Sequence, residues 1–350
     1  MMTKPHVTVL MGGPSAEYSV SMASGRMVFN ALANLDDLIV DAVVIHEDGV
    51  WEKVQRIPDD VMHPAALIHK APSRQVTLQG LHLLEATDVV FLALHGTFGE
   101  DGTIQAVLQT LHIPYTGSGP LASGTAMNKH RAKELFQFHG LPTAPEFYIT
   151  PRRAESVDRM LPQIETRLGY PLVIKPNEGG SSVGIYMAAN REELRDALME
   201  HANTALPLLV EKKVVGRELT CAVLEEYNES LTPLPVIEIV PHAGSFFDFT
   251  SKYQDGGSDE ICPAPIDHKS TQRIQDLTVR AHQILGCRGF SRSDFILTAE
   301  GPILLEVNTI PGMTPNSLLP KAANAYGLEF PQLMRRLVFL ALGKNPDTAG

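Results

Sequence analysis

The sequence predicts an α/β protein of two or three packed domains, the first of which contains a parallel sheet. With 350 residues, the chain is too long for one comfortable hydrophobic core. Residues 6 to 120 alternate helical patterns with short apolar runs, at 6–11, 38–45 and 88–94, and the last two runs are rich in valine, isoleucine and leucine. Buried parallel strands with crossover connections have this pattern.

Composition limits the classes of function. Apolar residues make up 44% and charged residues 20%, which is ordinary for a globular protein. The N-terminal apolar run is too short for a signal peptide, and no stretch approaches the roughly 20 apolar residues of a membrane span. Three widely separated cysteines fit reduced thiols, so we expect a cytoplasmic protein. The net charge of −11 disfavours nucleic acid and membrane partners, and an anionic substrate would require local basic groups and a metal.

The middle of the chain alternates predicted strands and helices. A glycine-rich break at 115–120 is a reasonable domain boundary, and a helix follows from Ser123 or Thr125 to Phe138, where Gly140 stops it. The elements predicted after this helix are strands at 171–175, 184–187 and 208–213, a helix at 191–201, and strands at 219–225 and 235–240.

The last third of the chain combines an irregular segment with a hairpin. Residues 241 to 265 have little periodicity, which inside a compact protein is typical of a lid or a binding loop. A helix is predicted over 271–285, a hairpin over 289–308, and further helical structure after it.

This hairpin brings two carboxylates together. Residues 298–302 supply turn chemistry between two strand-like runs. A hairpin centred on Glu300 pairs residues whose numbers add up to 600, namely Asp294 with Glu306, Arg292 with Asn308, and Ile296 with Leu304. These six side chains then share one face, and the core face carries Phe295, Leu305 and Val307.

Two directly opposed carboxylates destabilise a hairpin unless a cation lies between them. Asp294, Glu306 and the amide oxygen of Asn308 form an all-oxygen set that suits Mg²⁺ or Mn²⁺ rather than zinc. A solvated hairpin face, on which Arg292 neutralises one acid, would use the same residues. The pattern alone leaves both interpretations open.

A glycine-rich loop after an apolar strand is a candidate phosphate site. The run 171–184 delivers Lys175 at the end of its strand, and the glycines that follow allow backbone N–H groups to approach an anion closely. The loop is neither a Walker A motif nor the dinucleotide fingerprint, and a mere turn is the alternative. Combined with Lys175 and the hairpin, it favours an ATP triphosphate site.

Two loops of the first domain carry candidate ligand groups. A glycine turn at 12–15 precedes Glu17 at a helix start, where an acid could hold a substrate ammonium or simply favour the positive helix end. The missing third glycine argues against NAD. His95 follows a buried strand, where ligand loops lie in open α/β sheets. A capping loop with a structural histidine fits these residues equally well.

With these motifs together, the chain resembles the D-alanine–D-alanine ligases of the ATP-grasp superfamily, from about Val7 to the C-terminal helices. The blocks that carry the resemblance are LMGGPSAEYSVS, ALHGTFGEDGTIQ, PYTGSGPLAS, VIKPNEGGSSVG, SKY, SRSDFIL and LLEVNTIPGMTPNSLLP. The resemblance implies a three-domain ATP-grasp architecture: a Rossmann-like N-terminal domain at 1–120, a small central domain at 121–215, and a C-terminal domain at 216–350 with a lid loop at 241–265. It also implies a homodimer.

The resemblance further implies which residues bind ATP and metal. Phosphate contacts would come from Lys129, Lys175, Ser182 and, at the γ-phosphate, Lys252. Adenine would meet the backbone at Glu211, Lys212 and Val214, and the ribose would meet Glu218. Two Mg²⁺ or Mn²⁺ ions would bind Asp294, Glu306 and Asn308.

The amino acid site is implied in the same way. Glu17 would hold the first ammonium in a hydrogen-bonded set with Ser181 and Tyr253. Other substrate contacts would come from His95 and, at the second carboxylate, from Ser317 and Leu318. Arg292 and the backbone N–H of Gly312 would stabilise the oxyanion.

The implied reaction joins two D-alanines through a D-alanyl phosphate, for peptidoglycan precursor synthesis, and Tyr253 favours the dipeptide over an ester product. Ser19 stands where the family commonly has a second acid, and Asn128 where aspartate is common, and neither position is a proposed catalytic group. The alternatives are a ligase for another pair, with D-serine or D-lactate as second substrate, and a non-catalytic ATP-binding sensor.

Overall fold

The computed structural model describes residues 4–55, 57, 79–150, 157–179, 184–202, 206–242 and 258–345. Within these ranges the chain has the predicted α/β character and forms three sheets, each of which lies inside one of the three ranges predicted as domains. None of the helices described there is long and apolar enough to cross a membrane.

Nine α-helices have both of their ends in the described part of the chain, which also contains one short 3-10 helix, at His82–Leu84. The α-helices are α1 (Tyr18–Ala33), α2 (Thr103–Thr110), α3 (Pro120–Met127), α4 (Lys129–Phe138), α5 (Val157–Leu168), α6 (Arg191–Ala202), α7 (His268–Leu285), α8 (Leu318–Tyr326) and α9 (Phe330–Ala341).

The first sheet consists of β1 (His6–Gly12), β2 (Ile39–Ile45), β3 (Trp51–Val54) and β4 (Val89–Leu92). Its order is β3-β2-β1-β4, and it is parallel except for the edge strand β3. The three apolar runs became β1, β2 and β4, as predicted, and β4 is buried at every position, as expected for a parallel strand covered on both faces. The apolar pattern did not indicate β3.

The second sheet is antiparallel, and its strands are short. They are β5 (Glu146–Ile149), β6 (Leu172–Pro176), β7 (Tyr186–Ala188) and β8 (Leu208–Lys212), in the order β5-β8-β6-β7. A hydrophobic core of its own, which includes Ile164, Ile174, Leu194 and Val210, joins this sheet to α5 and α6.

The third sheet is also antiparallel. Its strands are β9 (Arg217–Glu225), β10 (Leu231–Pro233), β11 (Ile237–Pro241), β12 (Ser258–Ile261), β13 (Phe290–Thr298) and β14 (Gly301–Asn308). The order is β12-β11-β9-β13-β14, and β10 pairs with β9. The segment predicted as an irregular lid, 241–265, therefore contains a strand, β12, that pairs with β11. Residues 243–257 of that segment lie outside the described residues.

The helix predicted over 123–138 is in fact two helices, α3 and α4, which meet at Asn128. The backbone there is extended, with φ −84° and ψ 93°, and the Asn128 side-chain oxygen accepts a hydrogen bond from the N–H of Arg131. The N–H of Lys129 donates to the carbonyl of Asn177 instead of continuing the helix. The prediction of one helix was wrong because an asparagine side chain can replace the helical hydrogen bond.

The hairpin of β13 and β14 has the predicted pairs at its open end. Asp294 pairs with Glu306, and Arg292 with Asn308. Nearer the turn the register shifts by one residue, so the predicted pairing of Ile296 with Leu304 was wrong.

A bulge in β14 explains this difference. The turn contains two residues, Ala299 and Glu300, because Thr298 already pairs with Gly301. A bulge at Leu305 adds the residue that restores the predicted register beyond it. The buried core residues of the hairpin are Phe295, Leu304 and Val307, so Leu304 takes the core position predicted for Leu305.

Shared cores join the first and third sheets to helices from distant parts of the chain. Leu319 on α8 and Leu337 on α9 belong to the same core as Val9 of β1. Phe136 on α4 shares a core with Phe295 on β13. Helix α4, although predicted as part of the central domain, thus packs on the third sheet.

Candidate active site

The open ends of β13 and β14 carry the two predicted metal carboxylates side by side. Arg292 donates to both oxygens of Asp294, from Nε at 2.9 Å and from Nη2 at 2.8 Å. Asn308 Nδ2 donates to Oδ2 of Asp294 at 3.0 Å, and the hydroxyl of Thr220 on β9 donates to Oδ1 at 2.7 Å. These bonds fix the orientation of the Asp294 carboxylate beside Glu306.

Lys129 connects these carboxylates to the glycine-rich loop. Its ammonium donates to the carbonyl of Gly179 at 2.7 Å and lies 3.5 Å from Oε2 of Glu306. The side chain of Asn128 donates to the carboxylate of Glu178 at 2.8 Å. The first residues of the loop are therefore attached to the start of α4, next to the hairpin.

The side chains at the hairpin fit a hard divalent cation. Asp294, Glu306 and Asn308 provide oxygen donors, and the two carboxylates are directly opposed across neighbouring strands, an arrangement that a cation stabilises. In the structure, Arg292 and Lys129 provide positive charge at this place. The described ranges contain no cluster of three or more His, Cys, Asp or Glu side chains that could hold a metal.

Lys175 lies at the end of β6, and its ammonium is 2.5 Å from Oε2 of Glu211 on β8. The other oxygen of Glu211 contacts the ammonium of Lys133 on α4, and all three side chains are buried. Burial, followed by the charge of Lys133, lowers the pKa of Lys175 to about 7, and burial lowers the pKa of Lys133 to about 8. A phosphate near Lys175 would favour its charged form.

The predicted adenine segment begins with the last two residues of β8, Glu211 and Lys212. The ammonium of Lys212 donates to the carbonyl of Tyr170 at 2.5 Å, and its backbone N–H donates to the carbonyl of Pro145 at 3.0 Å. Both kinds of donor on Lys212 are thus engaged within the protein. Val214 lies in the connection to β9, and Glu218, predicted to meet the ribose, lies on β9 beside β13.

Glu17 directly precedes α1, and its side chain is buried close to Gly96. The N–H of Glu17 donates to the hydroxyl of Ser15 at 3.0 Å. A Cβ atom on Gly96 would lie 2.3 Å from Ser15 Oγ and 2.7 Å from Glu17 Oε2. A residue without a side chain is therefore needed at 96 for the Glu17 carboxylate to occupy this position.

Glu100 is a further acid at this place, and it was not among the predicted site residues. Its Oε2 accepts a hydrogen bond from the N–H of Gly96 at 3.0 Å. Burial of its carboxyl, followed by the negative charge of Glu17, raises the pKa of Glu100 to about 8. The charges of Arg292 and Glu306 also act on this carboxyl, so the loops of the first sheet come close to the hairpin.

His95 joins the first sheet to the loop that follows β14. Its Nδ1 lies 3.0 Å from the carbonyl oxygen of Ile310, which requires a proton on Nδ1. Its Nε2 then accepts from the hydroxyl of Ser24 at 2.9 Å, and Ser24 Oγ accepts from the N–H of Met313 at 3.2 Å. Burial lowers the pKa of His95 to about 4. Both ring nitrogens are thus used to connect two parts of the protein.

The loop between β14 and α8 brings the predicted oxyanion and carboxylate groups together. Ser317 directly precedes α8, which begins at Leu318, and its Oγ accepts from the N–H of Thr314 at 3.1 Å. A Cβ atom on Gly312 would lie 2.9 Å from Ser317 Oγ, so these two groups are neighbours.

Four predicted site residues lie outside the described residues: Ser181, Ser182, Lys252 and Tyr253. Their contacts with phosphate and with Glu17 stay predictions.

Two residues near the site, Lys133 and Glu100, were not among the predicted ones, and only Lys133 has a signal in the sequence. Lys133 lies one helical turn after Lys129 and three residues before the buried Phe136, at a position of the helix where an apolar residue is expected. Glu100 belongs to the segment HGTFGEDGT, but its pattern gives no sign that its carboxyl turns toward Glu17.

Comparison with known proteins identifies the family. The D-ala D-ala ligase N-terminus family matches residues 6–118, and the D-ala D-ala ligase C-terminus family matches residues 135–339. A D-alanine--D-alanine ligase of Leptospira interrogans serovar Lai is 39% identical over 349 residues, which cover 97% of this chain and 99% of that protein. One of Nitratidesulfovibrio vulgaris strain Hildenborough is 41% identical over 343 residues, with 96% and 98% covered.

Solved structures of the same kind share the fold. The VanG D-Ala:D-Ser ligase from Enterococcus faecalis superposes with a TM-score of 0.78 and 31% identity, covering 97% of this chain and 99% of that chain. The D-alanine--D-alanine ligase from Bacillus anthracis complexed with ATP gives 0.75 and 29%, with 97% of each chain covered. These similarities confirm the predicted ATP-grasp architecture. The chain therefore belongs to the D-alanine–D-alanine ligase family.

Proposed function

We propose that this protein joins two D-alanine molecules to D-alanyl-D-alanine, with conversion of ATP to ADP and phosphate, as a step in peptidoglycan precursor synthesis. The family supports the class of reaction. The observation that carries the proposal is the position of Lys129, whose ammonium lies between the carbonyl of Gly179 and the carboxylate of Glu306. This contact brings the start of a phosphate-type loop to a pair of opposed carboxylates.

In this proposal, the nucleotide lies between the second and third sheets. Lys129 and Lys175 bind its phosphates, together with Ser182 and Lys252. Adenine meets the backbone from Glu211 to Val214, and the ribose hydroxyls donate to Glu218. Because the N–H of Lys212 already donates to Pro145, its carbonyl is the group of that residue offered to adenine.

The two opposed carboxylates and Asn308 would hold two Mg²⁺ or Mn²⁺ ions, which neutralise charge on the transferred phosphoryl group. Thr220 and Asn308 keep the Asp294 carboxylate in its orientation. Arg292 and Lys129, which face these carboxylates in the structure, would then be available to the oxyanion and to the phosphates.

The chemistry takes two steps. An oxygen of the first D-alanine carboxylate forms a bond to the γ-phosphorus, and the bond from that phosphorus to ADP breaks. The amine of the second D-alanine, after its ammonium has lost a proton to solvent, attacks the acyl carbon. Phosphate then leaves with the electrons of the C–O bond and takes up the second proton that the nitrogen loses. Glu17 holds the first ammonium, and Ser317 and Leu318 meet the second carboxylate. Arg292 and the N–H of Gly312 stabilise the oxyanion of the second step.

His95 has a positioning role in this scheme. The chain of hydrogen bonds from Met313 through Ser24 and His95 to Ile310 holds the loop that carries Gly312 and Ser317. His95 would therefore act on the substrate through this loop.

A second candidate is ligation of D-alanine to D-serine. The VanG D-Ala:D-Ser ligase is 31% identical to this chain and has the same fold, so the family contains proteins with that second substrate. An assay of purified protein with ATP and Mg²⁺ separates the candidates. ADP release is measured with D-alanine alone and with D-serine or D-lactate added, and the products are identified by mass spectrometry. Absence of D-alanine-dependent ADP release would refute both ligase proposals, and preferential formation of D-alanyl-D-serine would favour the second.

We also propose that the protein acts in the cytoplasm as a homodimer, as the resemblance to the family implies. Size-exclusion chromatography with light scattering tests the oligomeric state. A mass equal to the single-chain mass of 38.2 kDa would contradict the dimer.

A further inference from the structure

Lys133 is a buried lysine to which the proposed reaction gives no direct role. Its side chain on α4 is 1% exposed. Its ammonium contacts Oε1 of Glu211, lies 3.7 Å from Oε2 of Glu146, and donates to the carbonyl of Ala144 at 3.3 Å. A lysine this deeply buried is unfavourable unless it is paired and hydrogen-bonded. Its partners therefore have to account for its presence.

These partners are two acids of the second sheet. Glu146 on β5 pairs directly with Glu211 on β8, and both side chains are buried. Like charges opposed in this way destabilise a sheet. Lys133 lies close to both carboxylates, and Nδ1 of His130, one turn earlier on α4, lies 2.6 Å from Oε1 of Glu146. The acid pair is thus balanced mainly from α4.

Glu211 also has a second cationic partner. The ammonium of Lys175 lies 2.5 Å from the oxygen of Glu211 that Lys133 does not contact. Lys175 is the residue proposed to bind phosphate, so ATP and Glu211 compete for the same ammonium. A buried carboxylate that loses its last partner is strongly destabilised. That cost would weaken ATP binding if Lys175 were the only partner of Glu211.

We propose that Lys133 is a positioning residue for nucleotide binding: by staying paired with Glu211, it allows Lys175 to leave this carboxylate for the phosphates of ATP. This inference rests on the proposed function, because ATP is the nucleotide that Lys175 would bind. Lys133 can keep its contact throughout, since it approaches the opposite oxygen of the carboxylate.

Substitution of Lys133 by methionine tests this role, because Lys133→Met removes the ammonium and keeps much of the volume. Glu211 then depends on Lys175. We expect the dissociation constant for ATP, measured by calorimetry with Mg²⁺ and without D-alanine, to rise by about tenfold to a hundredfold. At saturating ATP, kcat should change by less than about threefold, because the lost interaction affects binding rather than the chemical step.

Two control variants separate this role from a general loss of stability. Phe136→Leu alters a fully buried side chain of the same helix outside the acid network, and it should lower the melting temperature without weakening ATP binding. Glu211→Gln removes the buried charge that competes for Lys175. In the Glu211→Gln background, Lys133→Met should change the dissociation constant for ATP by less than about threefold.

Any of three results would overturn the inference. The first is that Lys133→Met binds ATP as tightly as the unchanged protein, and the second is that it weakens ATP binding equally with and without Glu211→Gln. The third such result is that Phe136→Leu weakens ATP binding as much as Lys133→Met does. If Lys133→Met alone does not fold, the double variant and Glu211→Gln are compared, and a tenfold difference between them contradicts the proposal. D-alanine-dependent ADP release by the unchanged protein tests the proposed function separately, because the binding measurement contains no D-alanine.

Discussion

Replacement of Gly96 by alanine tests the position of the Glu17 carboxylate. Gly96 has a φ of +73°, and a Cβ atom there would lie 2.3 Å from Ser15 Oγ and 2.7 Å from Glu17 Oε2. Gly140 has almost the same φ, +72°, but no atom lies within 4 Å of its Cβ position. Gly140→Ala therefore introduces the same backbone strain as Gly96→Ala without the contacts, and it is the matched control.

Comparison of the two glycine variants separates the cost of backbone strain from the cost of the new contacts. A left-handed conformation costs an L-residue about 1 to 2 kcal/mol, and both variants carry this cost. In Gly96→Ala, the added methyl must displace Ser15 or Glu17, and such overpacking costs about 1 to 3 kcal/mol more. We expect Gly140→Ala to lower the free energy of unfolding by about 1 to 2 kcal/mol and Gly96→Ala by about 2 to 5 kcal/mol.

The functional consequence should be confined to the amino acid site. Displacement of the Glu17 carboxylate should raise the KM for D-alanine by about tenfold or more in Gly96→Ala, because small misplacements of a binding group are costly. The KM for ATP should stay unchanged, as should both constants in Gly140→Ala. Urea unfolding and steady-state ADP release provide these values. Equal stability losses in the two variants, together with an unchanged KM for D-alanine in Gly96→Ala, would refute the placement of Glu17.

The remaining predictions concern the hairpin and His95. Glu306→Gln should abolish turnover because it removes a carboxylate that would bind metal. The protein should stay folded, because the repulsion between Glu306 and Asp294 is removed as well. Near-normal turnover at limiting Mg²⁺ would contradict the metal assignment. Arg292→Ala should lower kcat by a factor of about 10² to 10³ and change ATP affinity much less. Comparable losses in kcat and in ATP affinity would instead indicate that Arg292 binds the nucleotide. His95→Gln should remove part of the acid sensitivity of folding. Because the pKa of His95 is about 4 in the fold and 6.5 ordinarily, the unfolded chain takes up a proton first, and this group lowers stability by about 3 kcal/mol as the pH falls from 6.5 to 4. Unfolding by urea at pH 7 and pH 4.5 measures this, and equal pH dependence in variant and unchanged protein would contradict a buried neutral His95.

The hairpin shows how much of the strand pairing could be predicted from the sequence. The pairing of Asp294 with Glu306 was predicted correctly, although the turn is centred between Ala299 and Glu300 rather than on Glu300, which shifts the register near the turn by one residue. The bulge at Leu305 compensates for this difference. Without a bulge, a shift of one residue would have moved the two carboxylates to opposite faces. Bulges depend on packing against the neighbouring sheet and core, which local alternation does not encode.

The electrostatic environment of the site could not be predicted in the same way. Glu211 was predicted to meet adenine through its backbone, whereas in the structure its side chain pairs with Lys133 and Lys175. These contacts depend on how α4 packs against the second sheet. Glu100 is a similar case, because its pKa is raised by burial and then by the charge of Glu17, which lies on a loop far away in sequence.

The interruption between α3 and α4 also affects how the parts of the molecule can move. The N–H groups of Lys129 and His130 donate to the carbonyl and the side-chain oxygen of Asn177, at 3.1 Å and 2.9 Å. The N–H of Asn177 donates to the carbonyl of Pro207 at 2.9 Å. A rotation of the second sheet relative to α4 that keeps these hydrogen bonds would pivot near Asn177. Such a rotation would change the distance between the second and third sheets while Lys129 stays close to the first residues of the loop.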